Sequence, residues 1–361
     1  MDFDISFSRY RFLIEAVDQI QLGKSYWGNV LRGSLLSTWK PAACKVMPGQ
    51  MGGQCSFGSG KSIEHCSEKP SCSFGQVLDS PLPPNADRDL IGNTEIPRPY
   101  AFLPQRALRP VLEPGDLAAF DLLLVGSARR YIREFCAAFI LGQEKGIGVG
   151  RGRYKLHEVT SIDLEDCAKE ILYSGVFTNK ESVCFTWKEV CDWSIARYGG
   201  TNRVTVNFNS LTGIKQKPVK GLSKAYAEHS PSGLVAPRDF FEFFRAVFRV
   251  TRHLAFLYCD QPALDEVFRR SLEDLSAQIE TVSEDLHQVE LYRKSEDKSS
   301  HQQDPNPPRP KRDLWYPVKG YTGWVVYQGD LDPFIPWLTL GQFLHIGEFR
   351  VEGLGSYRLT T

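Results

Sequence analysis

Residues 323–359 read GWVVYQGDLDPFIPWLTLGQFLHIGEFRVEGLGSYRL. The run GWVVYQG predicts a strand, because aromatic and β-branched residues lie between two glycines. The apolar residues 334–346 (FIPWLTLGQFLHI) predict a short helix, and the glycine-rich sequence after them leads into a last strand. This stretch therefore predicts strand, helix, glycine-rich turn and strand in succession.

The first half of the chain ends in the same order. Residues 117–125 (LAAFDLLLV) predict a buried strand, and residues 127–141 predict a helix with Ser127 as its N-cap. The sequence GQEKGIGVGRGRYKLHEV then predicts a glycine-rich turn that enters a strand. Because residues 3–16 alternate like an opening strand and residues 22–39 have helical spacing, this half has the element order of a ferredoxin-like domain.

The second half repeats this order loosely. Residues 203–209 (RVTVNFN) predict a strand, and residues 237–259 predict a long amphipathic helix that starts at Pro237. The polar, proline-rich residues 296–313 predict a loop. A weak internal repeat of this kind indicates two domains of one fold.

We therefore predict an α+β protein with two tandem ferredoxin-like (RRM-like) domains. The first spans residues 1–160 and the second spans residues 175–361. Residues 40–100 are irregular and rich in Gly, Pro, Ser and Cys, so they predict a cysteine-bearing insertion in the first domain.

The composition limits the kinds of partner. The chain has 361 residues, and its 43 basic and 43 acidic residues cancel. No global field therefore draws it to nucleic acid or membrane, and a polyanion site must be local. The first residues lack a signal-peptide pattern, and no apolar run is long enough to cross a membrane. We expect a cytoplasmic protein with no membrane contact.

The first glycine-rich turn, residues 146–153 (GIGVGRGR), is a candidate RNA contact. Glycine permits positive φ and close approach of backbone N–H groups to phosphates, and the neighbouring cations favour a polyanion. The candidate RNA-binding residues here are Lys145, Gly146, Gly148, Gly150, Arg151 and Arg153. A structural turn with solvated charges is an equally good interpretation. The turn is not a dinucleotide fingerprint, because it follows a helix and enters a strand.

Two further segments could bind RNA. The terminal glycine-rich turn supplies Arg350, Gly353 and Gly355, although a tight packing turn is the stronger interpretation there. Lys215 and Lys217 belong to a basic segment after a strand, where a solvated loop is the default interpretation.

The cysteines of the insertion could hold a structural zinc ion. The four candidate ligands are Cys44, Cys55, Cys66 and Cys72. A zinc ion would stabilise a segment that lacks its own apolar core. The spacing contains no Cys-x-x-Cys pair, so free thiols are an equally good interpretation.

Metal-free RNA cleavage needs a base for the 2′-OH, an acid for the leaving oxygen and a cation near the phosphate. His345 directly precedes the terminal glycine turn and is the best-placed histidine, with a structural role as the alternative. Tyr26 and Lys40 flank the first helix and are candidates for the acid and the cation.

Residues 323–359 resemble the C-terminal signature of CRISPR precursor-RNA-processing endoribonucleases of the RAMP superfamily. The shared features are the GDL-x-PF turn, the His-x-Gly helix end and the closing Gly-x-Gly-x-Tyr. Residues 115–156 look like the N-terminal glycine-rich loop of the same family.

The resemblance implies two ferredoxin-like domains with a cleft between them. It implies binding of CRISPR repeat RNA and cleavage of precursor transcripts into guide RNAs without a metal cofactor, in a prokaryotic cytoplasm. The 2′-OH would attack the phosphate and leave a 2′,3′-cyclic phosphate and a 5′-OH. Members usually place a catalytic histidine in or near the first helix, helped by tyrosine and lysine.

This chain departs from that pattern. Its first helix has no histidine, and Glu348 and Glu352 stand where the family has a basic and an aromatic residue. A non-catalytic RAMP subunit that binds RNA in a CRISPR effector complex is therefore the second hypothesis. A zinc-bearing interaction protein is the third.

Overall fold

The computed structural model describes residues 3–43, 72–78, 96–105, 109–215, 234–295 and 314–361. The first domain contains β1 (Ser6–Ala16), β2 (Ile20–Gln21), α1 (Trp27–Ala43), α2 (Ser73–Leu78), β3 (Tyr100–Pro104), β4 (Val111–Leu112), β5 (Leu117–Val125), α3 (Ile132–Gly142), β6 (Tyr154–Ile162), β7 (Ala168–Tyr173) and β8 (Phe185–Thr186). The second contains α4 (Trp187–Tyr198), β9 (Arg203–Thr212), β10 (Ile214–Lys215), β11 (Leu234–Val235), α5 (Phe240–Tyr258), α6 (Glu266–Ser276), β12 (Glu280–Ser295), β13 (Leu314–Gln328), α7 (Ile335–Leu344) and β14 (Tyr357–Thr360).

Both main sheets are antiparallel. The strands β3-β5-β1-β6 of the first sheet correspond in order to β12-β13-β9-β14 of the second. The first is ordered β3-β5-β1-β6-β7, and β8 pairs with β1. The second is ordered β12-β13-β9-β14. With α1 and α3 in the first domain and α5 and α7 in the second, each unit has the β-α-β-β-α-β order of a ferredoxin-like domain. The predicted α+β fold with two such domains is confirmed.

The predicted elements differ from the observed ones mainly at their ends. The strand at residues 117–125 is as predicted. The helix predicted from Ser127 begins as a 3₁₀ turn (Gly126–Tyr131), and no side chain caps that turn. The long helix predicted to start at Pro237 begins at Phe240 instead. Asp239 caps it, because its side chain accepts a hydrogen bond from the Glu242 amide.

The first domain extends beyond the predicted limit at residue 160. The strands β7 and β8 both pair within its sheet, with β6 and β1 respectively. The predicted insertion at residues 40–100 contributes the end of α1, the short helix α2 and the first residue of β3, and residues 44–71 and 79–95 lie outside the described part. The predicted loop at residues 296–313 also lies outside it.

The two domains share apolar core. Phe7 of β1 and Leu123 of β5 join the cluster that contains α5 and α7 of the second domain. The rings of Phe7 and Phe343 stack with centroids 5.7 Å apart. A Cβ atom on Gly126 would lie 1.9 Å from the carbonyl oxygen of Tyr258, so the backbones of the domains touch there. These contacts fix how the domains are oriented.

The long hairpin of β12 and β13 extends beyond its sheet. The strand β13 pairs with β9 between Tyr321 and Gln328, whereas residues 314–320 continue along β12. On this extension, Val289 and Leu291 pack in a small apolar cluster with Leu354 and Tyr26. The hairpin therefore covers the terminal turn and approaches the start of α1.

None of the described helices is long and apolar enough to cross a membrane.

Candidate RNA interface at the domain junction

The terminal glycine-rich turn is buried between α1, β3 and β9. A Cβ atom on Gly353 would lie 2.7 Å from the carbonyl oxygen of Phe102, and one on Gly355 would lie 1.7 Å from that of Ile346. The amide of Gly355 donates to the carbonyl oxygen of Leu211 at 2.9 Å. The glycines are needed for close packing, so the structure corrects the prediction that Gly353 and Gly355 present free amides to RNA.

Arg350 is also a structural residue in this arrangement. It is 5 % exposed, and its Nε donates to the carbonyl oxygen of Leu344 at 3.1 Å. A second guanidinium N–H donates to the carbonyl oxygen of Arg98. Burial lowers the pKa of Arg350 to about 10. Because it is enclosed, Arg350 does not offer the predicted contact to RNA.

His345 is enclosed at the end of α7. The residue is 1 % exposed, and its backbone has φ 59°. Burial, followed by the nearby charge of Arg350, lowers the pKa of His345 to about 3. A base of that strength, shielded from solvent, is poorly suited to accept the proton of a ribose hydroxyl. The structure therefore corrects the prediction that His345 is the catalytic base and favours a structural role.

The first glycine-rich turn lies on the surface, but it is internally bonded. Gly146, Gly148 and Gly150 have φ of 67°, 74° and 78°. The amide of Ile147 donates to Gly152 at 2.9 Å, and that of Val149 donates to Gln21 at 2.7 Å. The amides of Ile147 and Val149 are therefore not free to bind phosphates, and Val149 links the turn to β2.

The cations of this turn differ in how they are placed. Arg153 forms an ion pair with Asp18 at 2.7 Å and lies 3.7 Å from Glu144. Lys145 and Arg151 are exposed, and Lys145 donates to the carbonyl oxygen of Ser37 at 3.3 Å. These two cations remain the best RNA contacts that the turn can offer.

A polar cluster joins the two domains at the start of α1. Its centre is the carboxylate of Glu352, which accepts a hydrogen bond from the Tyr26 hydroxyl. Asn29 Nδ2 donates to the same carboxylate at 3.3 Å, and an Arg32 guanidinium nitrogen lies 3.3 Å from its other oxygen. Arg293 of the hairpin places Nε 3.4 Å from that second oxygen. We call Tyr26, Asn29, Arg32, Arg293 and Glu352 the junction cluster.

Exposure increases from the centre of the junction cluster to its edge. The Glu352 side chain is 1 % exposed, that of Arg32 is 15 % exposed and that of Arg293 is 28 % exposed. Burial, and then the charge of Glu352, raise the pKa of Tyr26 above its usual value, so its hydroxyl stays protonated. Two guanidinium groups share one carboxylate, so the junction cluster carries excess positive charge toward the solvent.

A second polar network ties the sheets together on another side. Asp166 accepts hydrogen bonds from Arg9 of β1 and, at 2.8 Å, from Arg358 of β14. Arg11 pairs with Asp121 at 2.8 Å. Burial raises the pKa of Asp166, but Arg9 and the other arginines outweigh it, so the net pKa is below the usual value. This network is best understood as a structural link between domains.

Other predicted site residues lie away from the junction cluster. Lys40 is in the last turn of α1, about 21 Å along the helix from Tyr26 at 1.5 Å per residue. Lys215 forms part of β10, and Lys217 lies outside the described residues. Tyr26 is therefore the predicted catalytic residue that enters the junction cluster.

Cys72 is partly buried against the core of the first domain. Cys44, Cys55 and Cys66 lie outside the described residues. Among the described residues no group of His, Cys, Asp and Glu has the arrangement of a metal site. The zinc hypothesis stays a prediction.

Sequence reasoning missed Glu352, Arg32 and Arg293 as site residues. In the sequence, Glu352 stands out only as an acidic residue where the family has an aromatic one. The available signal was the acidic residue directly before the Gly-x-Gly of the terminal turn, together with a first helix that carries Arg32 and is preceded by Tyr26.

The fold and the junction cluster together define a protein of two tandem ferredoxin-like domains whose polar residues meet where the domains join. Comparison with family models then identifies it more closely. Residues 207–357 match the model of the CRISPR-associated endoribonuclease Cas6, and residues 5–183 match a model described as the AF_1859_N N-terminal domain. The second domain of this chain is therefore similar to the Cas6 family, in agreement with the resemblance seen in the sequence.

Solved structures share the fold. The chain aligns with a partial Cas6-RT-Cas1–Cas2 complex at TM-score 0.54 and 10 % identity, covering 99 % of this chain and 46 % of that one. In the full Cas6-RT-Cas1–Cas2 complex it spans 29 % of the matched chain, so it has less than half the length of these relatives. It aligns with the product complex of the Thermus thermophilus Cas6 TTHB231 at TM-score 0.52 and 12 % identity, covering 98 % and 99 %. A search among curated protein sequences finds no match.

Proposed function

We propose that this protein is an endoribonuclease that binds CRISPR repeat RNA and cleaves precursor transcripts into guide RNAs. The observation that carries the proposal is the convergence of two parts of the chain at the junction cluster. The part that matches the Cas6 model supplies Glu352 and Arg293. The first helix supplies Arg32, and the residue directly before this helix is Tyr26.

The reaction is proposed to be internal attack by the ribose 2′-OH on the adjacent phosphate. The 2′-hydroxyl gives its proton to water and its oxygen forms a bond to phosphorus as the bond to the 5′-oxygen breaks. The 5′-oxygen takes a proton from water, which leaves a 2′,3′-cyclic phosphate and a 5′-OH. Such a reaction needs cations near the phosphate and groups that orient the hydroxyl, and it needs no metal ion. Arg32 and Arg293 supply the charge, and Tyr26 can contact the ribose. Lys40 lies in the last turn of α1, away from this phosphate, and is proposed only as a cation for a more distant part of the RNA.

The RNA is proposed to continue from the junction cluster onto the first glycine-rich turn. Lys145 and Arg151 face solvent there and can contact the sugar–phosphate backbone without reading its sequence. We propose that the cleaved guide RNA is then passed to a CRISPR effector complex.

The test is incubation of the purified protein with repeat RNA from its own CRISPR locus, with EDTA present. A single cut within the repeat is expected, with products that carry a cyclic phosphate and a 5′-OH. The ends are identified by mass spectrometry and by direct 5′ labelling with a kinase. Cleavage that stops on adding EDTA would contradict the metal-free mechanism, and absence of RNA binding would contradict the function as a whole.

A second candidate function is RNA binding without cleavage, as a subunit of an effector complex. Two observations favour it. The first helix contains no histidine, and His345 is enclosed and weakly basic. Tight binding of the repeat without a cut, in the same experiment, would support this candidate.

A further inference from the structure

The direction of the Tyr26 hydroxyl is set by Glu352. A hydroxyl has one proton to donate, and in Tyr26 that proton is directed at the Glu352 carboxylate. The oxygen lone pairs are then the part of the hydroxyl that remains for a ligand. Tyr26 can accept a hydrogen bond from RNA in this arrangement, but it cannot also donate one.

Glu352 is fixed in place from both sides. Its side chain is 1 % exposed, and its carbonyl oxygen lies against the backbone of Gly28. A carboxylate held this firmly beneath the surface does not contact RNA itself. Its influence must pass through the groups that it holds.

The two arginines are held with donors to spare. Arg32 directs one guanidinium nitrogen at Glu352, and its Nε–H is buried without a hydrogen-bond acceptor among the described residues. A phosphate can therefore be contacted only by the exposed part of this side chain, which is 15 % exposed. Arg293 is more exposed; its Nε lies 3.4 Å from Glu352 as an ion pair without a hydrogen bond, and its guanidinium lies 5.3 Å from the ring centre of Phe349. Because a guanidinium carries several N–H groups in a rigid plane, one carboxylate can orient both residues and leave other N–H groups for a phosphate.

We propose that Glu352 is a positioning residue that makes Tyr26 an acceptor for a ribose 2′-OH and sets Arg32 and Arg293 around the adjacent phosphate. This inference rests on the proposed function. In it, Glu352 exchanges no proton with RNA. Arg293 comes from the hairpin and the other residues from α1 and the terminal turn, so the arrangement is complete only when the hairpin lies over that turn.

The test is a double-mutant cycle with Tyr26→Phe and Glu352→Gln, measured by single-turnover cleavage of repeat RNA. Each single variant should lower the rate at saturating RNA by roughly 10- to 100-fold, and the double variant should be within about 3-fold of the slower single variant. The RNA concentration that gives half the maximal rate should change much less, because the exposed cations of the first turn are intact. Multiplied effects in the double variant, or an unchanged rate in Glu352→Gln, would overturn the proposal.

The control is Glu170→Gln, which removes the same charge from an exposed ion pair with Lys180 in the first domain and should leave the rate unchanged. Thermal melting shows whether each variant is folded. If Glu352→Gln does not fold, Arg293→Lys tests the same arrangement, because it keeps the charge but loses the planar N–H groups. A wild-type rate in Arg293→Lys would overturn the proposal.

The readout also separates this inference from the proposed function. If the wild type binds repeat RNA without cutting it, the same variants are compared by their affinity for repeat RNA. Each RNA in the series carries one 2′-deoxy substitution, at a different position of the repeat. One position should weaken wild-type binding by roughly 2- to 10-fold, the value of one hydrogen bond, and should have no effect in Tyr26→Phe or Glu352→Gln. Equal losses in all three proteins would overturn the inference while leaving RNA binding established.

Discussion

Gly28 of the first helix and Glu352 of the terminal turn are in direct backbone contact. A Cβ atom on Gly28 would lie 1.6 Å from the carbonyl oxygen of Glu352. This contact seats the start of α1 on the other domain and brings Tyr26 and Asn29 within hydrogen-bond distance of the Glu352 carboxylate. The junction cluster therefore depends on a glycine that makes none of its polar contacts.

Gly28→Ala should disrupt this contact between α1 and the terminal turn. The added methyl group has no space, so α1 must move away from the terminal turn, and we expect a loss of about 2–4 kcal/mol in the free energy of unfolding. Urea denaturation measures it. Gly33→Ala is the matched control, because its Cβ would meet nothing within 4 Å in the same helix. The control should be neutral or stabilising by up to about 1 kcal/mol, and equal losses in both variants would contradict the packing argument.

His345 should make stability depend on pH. Its pKa is about 3 in the folded protein, because of burial and Arg350, and about 6.5 in an unfolded chain. Between these values the unfolded state binds a proton that the folded state does not, so the free energy of unfolding falls as the pH falls. The contribution is on the order of 1 kcal/mol per pH unit.

His345→Asn should therefore flatten the pH dependence between pH 6 and about 4.5, whatever its effect at neutral pH. Urea denaturation at a series of pH values measures the slope. His287→Asn, at an exposed position on β12, is the control. A slope in His345→Asn that equals the wild-type slope would show that the buried histidine is protonated in the folded protein.

Lys145→Ala combined with Arg151→Ala should weaken RNA binding and reduce its dependence on salt. Each phosphate contact that is lost lowers the slope of log K against log[salt] by about 0.7–0.9. Filter binding at several salt concentrations gives the slope. Lys188→Ala, an exposed residue of α4 paired with Asp192, is the control and should leave the slope unchanged. An unaltered slope in the double variant would place the RNA path elsewhere.

Asp166→Asn should weaken the link between the domains. The carboxylate pairs with Arg9 and Arg358, and Arg9 is 5 % exposed, so removing the charge leaves a buried guanidinium with less compensation. Because the Asp166 side chain is 39 % exposed, solvent screening reduces the effect, and we expect a loss of about 1 kcal/mol at neutral pH. Urea denaturation measures it, with Asp192→Asn in a surface pair as control. No difference between the two variants would show that the link contributes nothing to stability.

Much of the fold could be predicted because its signals are local. Apolar runs such as residues 117–125, and glycine-rich turns that enter strands, mark elements that neighbouring residues determine. The strands β3 and β12 were missed for local reasons as well. The first follows a proline-rich stretch, and the second carries many charged residues because much of it is exposed.

The site was predicted less well, because its chemistry depends on which charges are buried. The motif that contains His345 and Arg350 was recognised, but a sequence pattern does not show whether a side chain is enclosed. Burial removed both residues from the candidate RNA contacts. The same packing places Glu352, which departs from the family's aromatic residue, at the centre of the junction cluster.

The sequence by itself determined that this is a protein of two ferredoxin-like domains with a Cas6-like second half, because secondary structure and family motifs depend on residues close together in the chain. Only the tertiary structure decided which residues form the site. Tyr26 and Glu352 are 326 positions apart, and they meet because apolar packing between the domains fixes the position of the terminal turn against α1.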